Sequence, residues 1–335
     1  MDQDHELVWT QPGWLEQTNA WIHAELERQG IEVIGPIEQP HVRPWSTVLR
    51  VPTSEGDIYF KATTAVLAHE PALTQALAQW RPDCVPPVLA ADLACGWMLM
   101  PDFGTTLRSR IPSTQELWHW HRVLPLYAEV QFEMAERLHE LLTLGALDRR
   151  LATLPTQYEG LLANTEALRI DMPEGLASEE YQRLRELTPR VAEMCERLAA
   201  YGIPETLHHE DFHDANIFVR DGRYLLSDWG ESGVSHPFCT LLVTLRSIAW
   251  RLELENSAPE LAQLRDIYLE PWTGYASREE LLTAFRLAYQ LGMICRALTW
   301  HRVVSSLAEP LRAEYAEAVP GWLQEFLNAV TTDNL

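Results

Sequence analysis

Hydrophobic periodicity changes character once along this chain, near Pro101, and that change limits the folds open to it. Before Pro101 short alternating stretches dominate. Residues 46–51 and 57–63 read as two strands of a hairpin around Thr53-Ser54-Glu55-Gly56, and residues 85–90 and 96–100 read as two further short strands. Residues 32–42, broken by Gly35-Pro36 and Pro40, suit an edge strand. Trp14, Leu15, Ile22 and Leu26, with Ala20 and Trp21, predict a lead-in helix ending at Gly30, and residues 65–80 predict a second helix. After Pro101 the spacing becomes helical. Ser113 and Glu116 have capping-box spacing, Pro125 interrupts, and Leu126, Val130, Met134, Leu138 and Leu142 recur every fourth residue before Gly145. Leu184, Leu187, Val191, Met194 and Leu198 mark another helix, ended by Gly202 and Pro204, and four more helical patterns follow from about residue 239. The expected plan is α+β: a small lobe over residues 1–97, a connector at 98–102 and a helical lobe over 103–335.

One segment, residues 206–230, breaks the helical pattern with a density of polar side chains too high for a core. Two strand-like pieces, 217–219 and 224–227, flank the turn Asp221-Gly222, so Asp211 and Asn216 precede one strand and Asp228 follows the other. Asp, Asn and Asp gathered at one end of a hairpin supply hard oxygen ligands, which suit Mg²⁺. Such a set points toward phosphate chemistry, where a protein chiefly positions groups and stabilises charge.

His209-x-Asp211-x-x-x-x-Asn216, followed by Asp228-Trp229-Gly230, resembles the catalytic loop and metal-binding Asp of the aminoglycoside phosphotransferase family, with its choline and homoserine kinase relatives. The resemblance implies a bilobal protein-kinase-like fold. It makes Asp211 the catalytic base within a loop at 208–217, Asn216 and Asp228 the Mg²⁺ ligands, and His209 a support for the loop; His213 fits the same spelling. It also implies ATP or GTP as co-substrate and a small hydroxylated acceptor. Among known members, acceptors include antibiotics, choline, homoserine and sugars.

The cationic residues offer a test of that expectation. Among 26 Lys and Arg the chain has a single lysine, Lys61, on the second hairpin strand. A kinase of this type assigns it to the α/β-phosphates, a task suited to a compact point charge; the plain alternative is a lysine without special function. Between Lys61 and Asp92 the acids are Glu70 and Asp83, and Asp83 sits in a turn bracketed by prolines, so Glu70 is the candidate partner. Met98 and Met100 on the connector are placed beside the adenine, or are plain core. A Gly-rich phosphate loop is missing, since residues 42–61 contain only Gly56; Ser46 and Thr47 stand in its place as candidate phosphate contacts. Glu210 departs from the family too, occupying a position where Gly is usual. Asp102-Phe103-Gly104 spells a protein-kinase metal motif far ahead of the catalytic loop and is set aside.

Other classes are excluded or left as rivals. The formal net charge of −22, with no long basic run, disfavours a nucleic-acid partner. It also makes a cationic acceptor more attractive. Five scattered cysteines without a C-x-x-C pair suit a reducing cytoplasm, and neither a signal peptide nor a membrane span is expected. Only about ten residues follow Asp228 before the next apolar helix, too few for a protein kinase's activation segment. Two alternatives remain: a catalytically silent nucleotide-binding protein, and a metal-dependent hydrolase built on His208, His209, Asp211, His213 and Asp228.

Overall fold

The computed structural model describes residues 7–332. They form two compact units. The first comprises the described residues up to Thr105 with Phe218–Gly230 and Ser306–Glu314; the second comprises Thr106–Ile217, Glu231–Ser305 and the described residues from Tyr315 onward.

The first unit is built on an antiparallel sheet. Helix α1 (Trp14–Arg28) precedes strands β1 (Glu38–Val42), β2 (Ser46–Thr53) and β3 (Gly56–Thr63); helix α2 (Glu70–Trp80) and strands β4 (Ala90–Asp92) and β5 (Trp97–Pro101) follow. The strand order is β1-β2-β3-β5-β4. The β2–β3 hairpin closes at Thr53 and Gly56, where the Gly56 φ of 106° admits only a residue without Cβ strain. Strand alternation then sorts the side chains. Leu49, Val51, Ile58, Phe60 and Leu99 form one core with Ile22 and Leu26 of α1, Trp9 and Trp97. Val48, Lys61, Met98 and Ala91 are register partners across β2, β3, β5 and β4, so they share the opposite face.

Two local expectations change here. The predicted helix over 65–80 splits into a 3₁₀ turn, Ala65–Leu67, and α2, because Pro71 lacks the N–H an uninterrupted helix needs and suits a first turn instead. The strand predicted over 85–90 shrinks to Ala90–Asp92, since Pro86 and Pro87 cannot donate to a ladder. Residues 97–101 form a paired strand of the sheet. The Ile217–Arg220 and Arg223–Leu226 hairpin forms as expected, with Asp221 (φ 51°) and Gly222 (φ 75°) both left-handed in its two-residue turn.

The second unit is mostly helical. The helix predicted to reach Gly145 instead ends at Ala135 and restarts at Leu138–Thr143, while Pro125 lies inside the Trp120–Ala135 helix, on its partly exposed side. Similarly, the stretch from Leu184 to Leu198 divides into Ser178–Glu186 and Thr188–Ala199, with Pro189 opening the second helix. The longest helix, Arg278–Ser305, is buried over most of its second half and packs against Ala318–Thr332. No helix among the described residues is long and apolar enough to cross a membrane.

Candidate active site

In the first unit Lys61 lies at the centre of a carboxylate pair. Its Nζ donates to Glu70 Oε1 at 2.6 Å and to Asp228 Oδ1 at 2.5 Å. Pairing with Met98 puts Lys61 on a buried strand, and Glu70 reaches it from the first turn of α2. Burial alone would favour a neutral amine, but the Asp228 and Glu70 carboxylates more than offset it and hold Lys61 as an ammonium. Burial pushes the Glu70 carboxyl up to about 7 despite the Lys61 charge. Asp228 has a left-handed backbone, φ 68°, and a half-exposed side chain. Gly230 two residues on lets the chain pass Glu70, since a Cβ there would lie 3.1 Å from Glu70 Oε2.

The remaining candidates of this unit fare differently. Ser46 is buried on the face of Lys61. Thr47 is not available to a phosphate held by Lys61: it lies on the α1 face, and its hydroxyl donates to the His41 carbonyl at 2.8 Å and accepts from Gln39 at 2.9 Å. Met98 and Met100 are buried in an apolar cluster with Phe103 and Leu225, flanked by Val88, Ala91 and Phe218. Asp102 has no metal-ligand role in view; its carboxylate accepts from the Gly104 N–H at 3.0 Å and turns the chain.

In the second unit the loop after Thr206–His208 is held from several sides. Gln131 and Tyr127 of the Trp120–Ala135 helix bind its backbone: Gln131 Nε2 donates to the Leu207 carbonyl at 3.0 Å, and the His209 N–H donates to the Tyr127 hydroxyl at 3.0 Å. Thr244 donates to the Phe212 carbonyl at 2.7 Å. Asp214, buried, pairs with Arg108 at 2.8 Å and Arg251 at 2.6 Å. His209 is fully buried and packs near Phe212.

Asp211 is the partly exposed carboxylate this scaffold presents. His213 Nδ1 accepts the Ala215 N–H at 3.1 Å, which leaves Nε2 as the nitrogen facing Asp211 Oδ2 at 3.2 Å. Asn216 donates through its amide nitrogen to the Asp211 carbonyl at 3.0 Å and to Oδ2 at 3.2 Å. Burial would raise the Asp211 pKa, but the His213 hydrogen bond and the nearby Arg296 hold it well below the usual carboxylate range. His213 is raised in turn, the Asp211 interaction outweighing its burial.

Beneath the loop lies a charge cluster that sequence reasoning missed. Arg296, from the long helix, pairs with Glu231, donates to the Glu210 carbonyl at 3.4 Å, and lies 3.8 Å from Asp211 Oδ1. Glu210 has φ 63°, which accounts for Gly at this position elsewhere in the family pattern, and its buried carboxylate lies 3.8 Å from Arg149 and 3.9 Å from Arg296. Nothing local marks Arg296 in the sequence.

A metal would find oxygen donors of the right kind. Asp228 offers a carboxylate in the first unit, and Asn216, whose amide nitrogen serves the loop of the second, has its side-chain oxygen as acceptor; each by itself is a hard oxygen donor of the kind Mg²⁺ takes. Among the described residues no three or more His, Cys, Asp or Glu side chains are grouped to hold a metal ion. His208 is buried, and burial lowers its pKa to about 3.

A family model described as a phosphotransferase enzyme family matches residues 46–281. The chain belongs to this phosphotransferase family. No curated protein sequence matches it. Solved structures of like fold include a choline/ethanolamine kinase family protein from Mesorhizobium loti, 18% identical, covering 94% of this chain and 98% of that one with a TM-score of 0.57. An ethanolamine kinase from Plasmodium vivax is 12% identical over 96% of this chain and 89% of its own, TM-score 0.60. An amicoumacin kinase solved with AMP-PNP and Ca²⁺ is 12% identical over 93% of each chain, TM-score 0.54. The phosphotransferase fold is thus the kinase-like one, with an antiparallel-sheet lobe and a mostly helical lobe.

Proposed function

We propose that this phosphotransferase moves the γ-phosphoryl group of Mg²⁺-bound ATP, or GTP, to a hydroxyl of a small molecule. The observation that carries the proposal is the placement of the chain's one lysine, held between Glu70 and Asp228. In a chain otherwise supplied with arginine, this is where a point charge is needed to meet nucleotide phosphates. A kinase of like fold binding AMP-PNP with a divalent cation supports the same co-substrate.

Lys61 would hold the α/β-phosphates, oriented by Glu70, while Asp228 and Asn216 would hold the cation, which neutralises phosphate charge when bound. Ser46 remains a candidate phosphate contact, and the face carrying Val48, Met98 and Ala91 is apolar enough for the adenine. Asp211 would accept the hydrogen bond of the acceptor hydroxyl. Its lowered pKa keeps it ionised, so its main work is to orient the hydroxyl, taking the proton late as phosphorus–oxygen bonding develops. His209 holds the loop. A cytoplasmic setting follows from such a co-substrate.

The test is a Mg²⁺-dependent thermal shift with ATP and GTP, run beside Lys61→Ala and Asp228→Ala, followed by ADP release with hydroxylated acceptors and Asp211→Asn. A shift that weakens in the first two variants, and turnover lost in the third, is expected. Full turnover in both Asp211→Asn and Asp228→Ala would refute the assignment; nucleotide binding without turnover of any acceptor would favour a silent binding protein.

A further inference from the structure

Within the second unit a cavity of about 560 Å³ opens beside Asp211. Its size falls in the ~300–1,000 Å³ range of small-molecule pockets. A neighbouring cavity of about 660 Å³ lacks Asp211, so a phosphoryl acceptor belongs in the smaller one.

The walls are charged, yet every charge has a partner, Asp211 included, which faces Arg296 and His213. Arg246 forms a two-pronged pair with Glu325, at 3.1 and 3.2 Å, and Arg296 pairs with Glu231. A cationic ligand would find no carboxylate without a guanidinium, and an anionic ligand would have to displace Glu325 from Arg246. Cation–π binding at Trp322 is already taken up: Arg246 and Arg296 lie 5.2 and 5.9 Å from its ring. The chain's net charge of −22 is therefore not focused into this cavity.

What the walls do offer is an aromatic platform and a fork of paired polar groups. Trp250 is 82% exposed, a large apolar face at the cavity wall. Arg246 and Glu325 set N–H donors beside carboxylate acceptors, and Asn256 adds an amide that does both. Vicinal hydroxyls, each able to donate and accept, complement that fork, while the C–H face of a ring complements the indole.

We infer that this cavity takes a neutral, polyhydroxylated ring of monosaccharide to disaccharide size as the phosphoryl acceptor. The inference rests on the kinase function proposed above. In the step, a ring hydroxyl oxygen forms a bond to the γ-phosphorus as the bond to the bridging oxygen breaks; the electron pair leaves on the nucleoside diphosphate, and the hydroxyl proton passes to Asp211 and then to solvent.

The experiment measures ADP release with saturating MgATP against three acceptor sets: neutral (pentoses, hexoses, methyl glycosides, nucleosides, disaccharides, cyclitols), cationic (choline, ethanolamine, glucosamine, kanamycin) and anionic (glycerate, gluconate, sugar phosphates). A neutral acceptor is expected to exceed any charged one by about tenfold or more in kcat/KM, and Trp250→Ala and Arg246→Gln to raise its KM by about tenfold with far less effect on kcat. A charged acceptor used best would overturn the inference. So would silence across the neutral set while the Mg²⁺-dependent ATP shift is intact, and that result leaves the kinase function standing. Absence of the shift itself would remove both.

Discussion

Arg296 lies 3.8 Å from the Asp211 carboxylate while donating to the backbone carbonyl of Glu210, so a residue from the long helix grips the loop at two successive positions. The same guanidinium pairs with Glu231 and faces the Glu210 carboxylate. Removing it leaves the buried Glu210 with Arg149 alone and takes the guanidinium from Glu231. Arg296→Met is expected to destabilise the protein by about 3–5 kcal/mol in urea denaturation. Arg296→Lys should recover part of that, because a single ammonium restores charge without the fork.

Lys61 stands between two carboxylates at 2.6 and 2.5 Å, a geometry made for one small ammonium. Lys61→Ala is predicted to lower kcat/KM for MgATP by about 10²–10³-fold, and Lys61→Arg not to restore it, since a planar guanidinium does not fit the same point. Steady-state kinetics at varied MgATP decide this.

The pH dependence of stability should carry the signature of the buried cluster. Burial pushes the Glu231 carboxyl up to about 7, against an ordinary 4.5, with Arg296 opposing. A group raised in the folded state binds its proton more tightly there, so its contribution is full below pH 4.5 and is lost as pH rises through 7. Unfolding free energies measured between pH 5 and 8 should therefore fall more steeply for the native protein than for Glu231→Gln. Parallel curves would contradict the shift.

Gly104 has φ 87°, and a Cβ there would meet the Val219 carbonyl at 2.6 Å. Gly104→Ala combines a left-handed strain with a clash against backbone, which cannot swing aside. A loss of about 1–3 kcal/mol is expected in thermal or urea unfolding.

Much of the fold was legible because its signals are local. The β2–β3 hairpin announced itself through alternation around Thr53 to Gly56, and the Ile217–Arg220 and Arg223–Leu226 hairpin through Asp221-Gly222. Proline was harder to read: Pro71 and Pro189 open helices, whereas Pro125 sits within one, and only packing separates these cases. Ser46 and Thr47 show the same limit on a smaller scale. Adjacent strand residues must face opposite ways, but which one shares the Lys61 face depends on register with β3.

The sequence by itself determined the phosphotransferase motif, from His209 to Gly230, and the rarity of Lys61, because both depend on residue type and short spacing. Glu70 followed by elimination within one short stretch. Tertiary structure alone decided that Arg149 and Arg296 flank Glu210, that Glu231 belongs to Arg296, and that Arg246, Trp250 and Glu325 share a cavity with Asp211. These residues come from helices and loops far apart in the chain, each ordinary in its own segment. Their meeting is set by how apolar helix faces pack, and burial then forces each charge to find a partner, a constraint no local pattern records.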